Sequence, residues 1–230
     1  MGFEPENTLR SIRRALELGA RCVEIDVQRV EQHLVVFHDD RLERTTNGSG
    51  FLGDHTFRDL RLLDAGKGER IATLDEVCAL LKGRAGLNIE LKDPDTAGPV
   101  AQAVASLVER GWDGQSFLVS SFSQPALREI RRRDPELQLG VLSSGADPAD
   151  LQFAAELGAF SIHPARDSVS TALVRQAHAL GLAVYVYTVN DPGEIRRMSE
   201  LGVDGVFTDY PDRVAGPANQ SADPPFWTRR

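Results

Sequence analysis

Two stretches, Val23-Glu24-Ile25-Asp26-Val27 and Leu87-Asn88-Ile89-Glu90-Leu91-Lys92, share an alternation of apolar and polar residues. Side chains on a β-strand point alternately to opposite faces, so the polar members of each stretch share one face and the apolar members share the other. In a parallel barrel the apolar face packs against the surrounding helices, which leaves the polar face turned inward. The pattern therefore predicts two strands that carry Glu24, Asp26 and Glu90 on one inner surface.

The rest of the chain alternates between short apolar runs and helical stretches. Strands are predicted at residues 22–27, 87–91, 117–122, 139–143, 160–163, 183–189 and 205–208. Helices are predicted at residues 5–18, 76–81, 99–110, 125–133, 148–157, 170–180 and 192–201. This alternation over 230 residues indicates βαβ units, a parallel sheet and a single α/β domain of the TIM (β/α)8 barrel class. We place that domain at residues 1–214, with an insertion at about 28–73 after the second barrel strand, and expect a flexible tail at 215–230.

The strand count falls one short of a closed barrel. Seven strands of this kind are found, whereas a (β/α)8 barrel has eight. The chain opens directly into the predicted helix at residues 5–18, so the strand that is missing is the first one. Two interpretations stay open: an open doubly wound sheet that never had an eighth strand, or a numbered chain that starts late, with Met1 an internal methionine of a longer protein.

Composition and charge exclude several classes of protein. The 26 Lys and Arg residues against 34 Asp and Glu give a formal net charge of −8, which argues against nucleic acid or an anionic membrane as the main partner. Cys22 and Cys78 are too few for a disulfide framework and lack a metal-binding spacing. No apolar run is long enough to span a bilayer, and the N-terminal residues are not typical of a signal peptide. We expect a cytoplasmic protein without integral membrane association, and the sequence leaves its oligomeric state open.

The three inward carboxylates need a positive charge beside them, because burying like charges together is costly. Lys92 on the same face supplies one positive charge, which is too little for three carboxylates. A divalent ion that prefers oxygen ligands, Mg2+ or Ca2+, would make up the deficit, so the pattern predicts a metal site at Glu24, Asp26 and Glu90. The alternative is an internal salt-bridge network with Lys92 and no metal.

A candidate proton-transfer residue, His38, ends the apolar run at 34–38. A hairpin whose turn is Glu31-Gln32-His33 would bring His38 back beside Asp26. A histidine beside a metal-bound phosphate can exchange protons near neutral pH. The alternative interpretation is a surface histidine on a hairpin.

Three further residues are candidates for substrate binding. The compact ammonium of Lys92 suits a phosphate or a carboxylate. His163 and Tyr187 lie near the carboxyl ends of two later strands, where barrel enzymes bind their substrates. The alternatives are a hydrogen-bonded histidine inside the barrel and a tyrosine that fills the barrel.

The chain resembles the glycerophosphodiester phosphodiesterase family, and its bacterial cytoplasmic branch most of all. The resemblance rests on segments in the family's order at residues 5–9, 24–27, 35–39, 44–48, 73–74, 88–92, 120–122, 187–190 and 202–209. It implies a TIM barrel with a small inserted subdomain, and hydrolysis of small glycerophosphodiesters to glycerol 3-phosphate and an alcohol. It also implies metal ligation by Glu24, Asp26 and Glu90, acid/base catalysis by His38 as one of two histidines, and a basic site residue at Lys92.

The chain departs from the family pattern at two places. The family opens with a strand that ends in His-Arg-Gly, and its histidine is the second acid/base group; this chain begins after it. Tyr187 stands where much of the family has tryptophan. The resemblance therefore leaves alternatives: a hydrolase whose numbered chain has little activity, a non-catalytic phosphodiester- or metal-binding barrel, or a related lipid phosphodiesterase.

Overall fold

The computed structural model describes residues 2–145, 147–214 and 227, and eight β-strands lie within these ranges. The strands are β1 (Cys22–Val30), β2 (His33–Val36), β3 (Gly86–Leu91), β4 (Phe117–Ser121), β5 (Gln138–Ser143), β6 (Ser161–Pro164), β7 (Ala183–Val186) and β8 (Gly205–Val206). They form one sheet in the order β2-β1-β3-β4-β5-β6-β7-β8. β2 is antiparallel to β1, and all other neighbouring pairs are parallel.

The order of the strands decides between the two fold interpretations. The parallel strands follow chain order across the sheet without a reversal. A doubly wound sheet reverses its order at one point so that helices cover both faces, so the doubly wound interpretation is wrong. With crossovers of one hand, the helices cover a single face and the sheet curls into an open α/β barrel, which confirms the predicted TIM-barrel class. Between β1 and β8, which do not pair with each other in the described ranges, lies a cavity of about 950 Å3.

The helices connect the strands, and their starts follow from local capping. They are α1 (Leu9–Glu17), α2 (Phe57–Leu60), α3 (Leu74–Leu81), α4 (Ala97–Glu109), α5 (Gln124–Arg133), α6 (Pro148–Leu157), α7 (Thr171–Ala179) and α8 (Pro192–Leu201). Most begin at a side chain that accepts a backbone N–H of the first turn, namely Thr8, Thr56, Thr73, Ser123, Asp147, Ser170 and Asp191. Gly158 and Gly202 end α6 and α8 in the left-handed conformation. None of these helices has the length and apolarity needed to cross a membrane.

The main hydrophobic core lies between the outer face of the barrel and the helices. Val23, Ile25 and Ile89 from the strands are buried there together with helix residues such as Val77 and Leu127. The apolar members of the alternating stretches therefore pack outward against helices, as predicted, and this burial fixes which face of β1 and β3 carries the polar side chains.

The first helix starts later than the pattern predicts. α1 begins at Leu9 rather than at residue 5, because Thr8 and Ser11 form a reciprocal capping box. Asn7 has a φ of 55°, a left-handed conformation that cannot continue into a right-handed helix. The residues before Leu9 thus form a turn, which leaves the Asn7 side chain free to reach β1.

The insertion begins with the predicted hairpin, but its turn is shorter. Only Glu31 and Gln32 separate the two strands, and His33 pairs with Val30 instead of lying in the turn. β2 ends at Val36, so His38 lies past the strand. The insertion has a small core of its own, formed by Val30, Val35, Phe37, Leu42, Leu52, Leu60, Ala65 and Ile71.

The predicted flexible tail lies outside the described residues except at Trp227. The Trp227 side chain is buried, its ring centroid lies 6.1 Å from that of Tyr185, and its Nε1 donates to the Ser116 carbonyl at 3.4 Å. An indole against the barrel interior removes a large apolar area from water. The flexible tail at residues 215–230 stays a prediction.

Candidate active site

Three carboxylates meet on the inner surface of β1 and β3. In the register of the two strands, Asp26 lies beside Glu90 and Glu24 lies beside Asn88. Glu24, Asp26 and Glu90 each offer one oxygen, and these atoms all lie within 4.8 Å of one another. The alternation of the two stretches therefore does place the acids on one inner surface.

The positive charge beside these carboxylates comes from Lys92. Its Nζ lies 2.8 Å from Glu90 Oε1 and 3.3 Å from Asp26 Oδ1, so part of the predicted salt-bridge network is present. One lysine does not satisfy the cluster: Glu24 Oε1 is buried and has no hydrogen-bond partner among the residues that the structure describes. Burial, followed by the charges of Asp26 and Glu90, holds the pKa of Glu24 well above its usual value. Burial also raises the pKa of Glu90, against the opposing effect of Lys92.

This donor set fits a divalent, oxygen-preferring cation. Three carboxylates with one ammonium leave an excess of negative charge, and a carboxylate oxygen that is buried without a partner is costly. A dication would balance the excess and accept that oxygen as a ligand.

Two amides position the cluster and the nearby loop, and the sequence analysis did not identify either as a site residue. Asn7 Nδ2 donates to Asp26 Oδ2 at 2.8 Å, and the Asp26 N–H donates to Asn7 Oδ1 at 3.2 Å. Gln28 is buried, and its Nε2 lies 3.1 Å, 3.2 Å and 2.8 Å from the carbonyl oxygens of Phe37, His38 and Asp39. The only signals in the sequence are that Asn7 lies in a family motif and that Gln28 follows Asp26 with the same strand alternation.

His38 lies beside the carboxylates, as the hairpin predicts. The Phe37 N–H donates to the Asp26 carbonyl at 2.9 Å, which brings the loop after β2 against β1. His38, Glu24 and Asp26 all line the cavity between β1 and β8, and His38 is the one histidine among the described residues that line it. About half of the His38 side chain is exposed, so a water molecule or a substrate can reach the ring.

His163 is a hydrogen-bonded histidine inside the barrel, the alternative to a substrate contact that the sequence left open. Its side chain is fully buried inside the barrel, its Nε2 lies 2.8 Å from Ser161 Oγ, and its Nδ1 has no partner in residues 2–145, 147–214 and 227. It does not line the cavity where His38 lies. A fully enclosed ring cannot contact a substrate without a rearrangement of the barrel, so the expected substrate contact at His163 is not supported. Burial lowers the pKa of His163 to about 3.

Because of this burial, His163 should make the fold less stable in acid. Below a pH of about 6.5 the unfolded chain binds a proton at this residue, whereas the folded chain does not until about pH 3. Stability should therefore fall by about 1.4 kcal/mol per pH unit in this window through His163 alone. Urea unfolding of His163→Gln against wild type should give a difference that shrinks as the pH falls, whereas His55→Gln, in a loop, should track wild type. Parallel curves for His163→Gln and wild type would exclude this assignment.

Tyr187 and Phe122 form an aromatic rim at the carboxyl end of the strands. Tyr187 is half-buried, its hydroxyl donates to the Ser143 carbonyl at 3.2 Å, and its ring lies edge-on to Phe122 with centroids 6.1 Å apart. Phe122 is 52% exposed. Burial raises the pKa of Tyr187, and the charge of Glu90 adds to the effect.

Comparison with known proteins gives the family. The model of the glycerophosphoryl diester phosphodiesterase family matches residues 2–213. The chain belongs to this family. The family predicted from the sequence motifs is therefore confirmed, and phosphoric diester hydrolysis is the enzyme class of that family.

Individual relatives agree with this assignment over most of their length. The chain is 35% identical to a glycerophosphodiester phosphodiesterase of Caldanaerobacter subterraneus, covering 91% of this chain and 90% of the relative. It is 32% identical to a glycerophosphodiester phosphodiesterase of Bacillus subtilis, covering 92% and 81%. Among solved structures, a phosphodiesterase of Oleispira antarctica in complex with the product sn-glycerol-3-phosphate matches with a TM-score of 0.84 and 31% identity, covering 93% of this chain and 91% of that one.

Proposed function

We propose that this protein hydrolyses glycerophosphodiesters to glycerol 3-phosphate and an alcohol with the help of a divalent cation, Mg2+ or Ca2+. The observation that carries the proposal is the carboxylate cluster, in which one lysine accompanies three acids and Glu24 Oε1 has no partner within the described part of the chain. The related Oleispira phosphodiesterase holds sn-glycerol-3-phosphate, the product that such a reaction releases. Glycerophosphodiesters remain when the acyl chains of phospholipids are removed, so the reaction would belong to lipid and glycerol metabolism.

The proposed roles of the charged residues follow from their positions. Glu24, Asp26 and Glu90 would hold the cation, which when bound supplies Lewis-acid polarisation of a phosphoryl oxygen. Asn7 keeps the Asp26 carboxylate oriented through its two hydrogen bonds. Lys92 places a second positive charge on the same surface, where it would stabilise negative charge that develops on the phosphoryl oxygens.

The remaining roles concern the proton and the alcohol. His38 would exchange a proton with the attacking water or with the leaving alkoxide, because it is exposed and lies beside the carboxylates. Tyr187 and Phe122 would form an apolar wall for the carbon skeleton of the alcohol.

The direct test is turnover of glycerophosphocholine by the 230-residue chain with Mg2+ or Ca2+, read out as release of glycerol 3-phosphate. EDTA should abolish the release, and Glu200→Gln, an exposed acid on α8, should leave it unchanged. Calorimetry with glycerol 3-phosphate in the presence of each cation gives a second readout that does not require turnover.

The outcomes separate the possible functions. One rival is a non-catalytic binding protein, because the carboxylate cluster and Lys92 would bind a cation and a phosphoryl group without any proton transfer. Cation-dependent binding of glycerol 3-phosphate without turnover would support that rival, and faster turnover of lysophosphatidylcholine would support a lipid phosphodiesterase. If the chain neither turns over substrate nor binds the product with either cation, the proposed function is wrong.

A further inference from the structure

We propose that Asp39 is a positioning residue that keeps the proton of neutral His38 on Nδ1, so that Nε2 is free to accept a proton in the reaction. The catalytic consequence rests on the proposed function, whereas the state of the ring is a property of the chain itself. The proposal starts from the contact between the two side chains, in which His38 Nδ1 lies 2.5 Å from Asp39 Oδ1.

The carboxylate of Asp39 is itself held by a guanidinium. Arg44 Nε donates to Asp39 Oδ2 at 2.5 Å, and Arg44 Nη2 donates to Asp39 Oδ1 at 2.8 Å. This fork contacts both oxygens, so the plane of the carboxylate is set by Arg44 and only the remaining lone pairs of Oδ1 face the imidazole.

A second carboxylate holds Arg44 from the other side. Arg44 Nη1 and Nη2 donate to the two oxygens of Glu6 at 2.7 Å each, and the Glu6 side chain is only 14% exposed. Glu6 directly precedes Asn7, which binds Asp26. The turn before α1 therefore connects the orientation of His38 to the orientation of a carboxylate in the cluster.

The charges decide which atom donates in the contact with the ring. The Arg44 guanidinium, more than any other group, lowers the pKa of Asp39 to about 2, so Asp39 is an ionised acceptor at neutral pH. A carboxylate has no proton to give, so His38 Nδ1 must be the donor and the proton of the neutral ring cannot be on Nε2. When the ring takes a second proton, the same carboxylate stabilises the imidazolium.

The simpler interpretation is a surface ion pair that only holds the loop, and Asp39→Asn separates the two. An asparagine has one acceptor oxygen, which Arg44 would bind, so its amide would donate to the ring. His38 Nδ1 would then become an acceptor, and the ring proton would move to Nε2. Asp40→Asn is the matched control, because Asp40 is the exposed neighbour and its backbone carbonyl accepts the Leu52 N–H at 2.8 Å.

The decisive measurement is the 15N spectrum of the imidazoles in metal-free protein at pH 8, with the His38 signals assigned through His38→Gln. Wild type and Asp40→Asn should show a protonated Nδ1, and Asp39→Asn should show a protonated Nε2. In a turnover assay Asp39→Asn should lower kcat by about 10–100-fold, the loss typical of residues that orient a reacting group, with KM unchanged. Asp39→Glu should restore part of the rate.

The 15N spectrum and the turnover assay test different claims, so a negative result in one does not decide the other. A protonated Nδ1 in Asp39→Asn, or a protonated Nε2 in wild type, overturns the proposal even if the enzyme turns over substrate. If the chain turns over no substrate, the proposed function fails while the spectra still decide the state of the ring. An equal loss of kcat in Asp40→Asn would show that the loop as a whole matters, and would also overturn the proposal.

Discussion

Glu24→Gln is expected to remove divalent-cation binding and, in the absence of any cation, to stabilise the fold. Glu24 carries the buried oxygen without a partner, next to the carboxylates of Asp26 and Glu90. A glutamine of the same shape cannot ionise, so it removes the cost of a buried negative charge beside Asp26 and Glu90, the same cost that raises the pKa of Glu24. The metal-free protein should therefore gain at least about 1 kcal/mol, or roughly 2–4 °C in Tm. The same change removes a ligand, and affinity for Mg2+ or Ca2+ should fall by at least about 10–100-fold.

Thermal denaturation with EDTA and with each cation measures both effects. At a cation concentration of about 100 times Kd, wild type should gain about 2.7 kcal/mol, which corresponds to roughly 5–10 °C in Tm. Glu24→Gln should start from a higher Tm in EDTA and gain almost nothing when the cation is added. Relative to wild type, the Tm of Glu24→Gln should thus be higher in EDTA and lose its advantage with the cation. Replacement of a residue that only packs the barrel would instead lower the Tm under both conditions.

The matched control is Glu200→Gln on the surface of α8, which should follow wild type with and without cation. A cation-induced rise in Tm that Glu24→Gln retains in full would show that the dication does not bind at this cluster. Such a result would leave the salt bridges of Lys92 to Asp26 and Glu90 as the whole explanation of the acidic surface.

The barrel and its acidic surface could be predicted from the sequence because both depend on local alternation. Every second residue from Val23 to Val27 in β1 and from Leu87 to Leu91 in β3 is apolar, and burial of these residues against helices turns the polar side chains to the other face. The number of parallel strands and their positions follow from the same signal. The order of the strands does not follow from this signal. The doubly wound interpretation could therefore be excluded only from the observed pairing of the strands.

The network around His38 could not be predicted, because it depends on how the insertion folds back on the chain. Arg44 reaches Glu6 across 38 residues of sequence, and no periodic pattern connects two such positions. The one local signal was Asp39 itself, a carboxylate directly after the histidine. The start of α1 was predicted at residue 5 instead of Leu9, because the apolar pattern does not show the left-handed turn at Asn7 or the cap at Thr8.

His163 shows where alternation reaches its limit. The pattern correctly turned this side chain inward, but it carries no information on depth along the barrel. A Cβ on Gly140 would lie 2.5 Å from His163 Cε1, so the ring occupies space that the missing side chain on the neighbouring strand leaves open. The histidine is therefore enclosed below the site, whereas His38, on an irregular loop, is exposed beside it.

Replacement of His38 should lower turnover without changing the affinity for the cation. His38→Gln keeps a polar side chain of similar length but cannot take up a proton, so kcat for glycerophosphocholine should fall by about 10²–10⁴-fold. The proposed cation ligands are the carboxylates that meet on β1 and β3, and His38 is not one of these ligands. The Tm gain of His38→Gln on adding Mg2+ or Ca2+ should therefore equal that of wild type. His55→Gln, in a loop of the insertion where Nε2 lies 3.0 Å from the Ser49 carbonyl, is the control and should keep full turnover.

Two results for His38→Gln would contradict this role in different ways. Turnover at the wild-type rate would mean that water or another side chain moves the proton, and the exposed ring would then be an ordinary surface histidine. Loss of the cation-induced Tm gain together with turnover would mean that His38 binds the cation, because its imidazole would then contribute to affinity. Retained cation binding with lost turnover is the only combination that a proton-transfer residue beside a carboxylate metal site produces, since such a residue acts on the reacting oxygen and not on the cation.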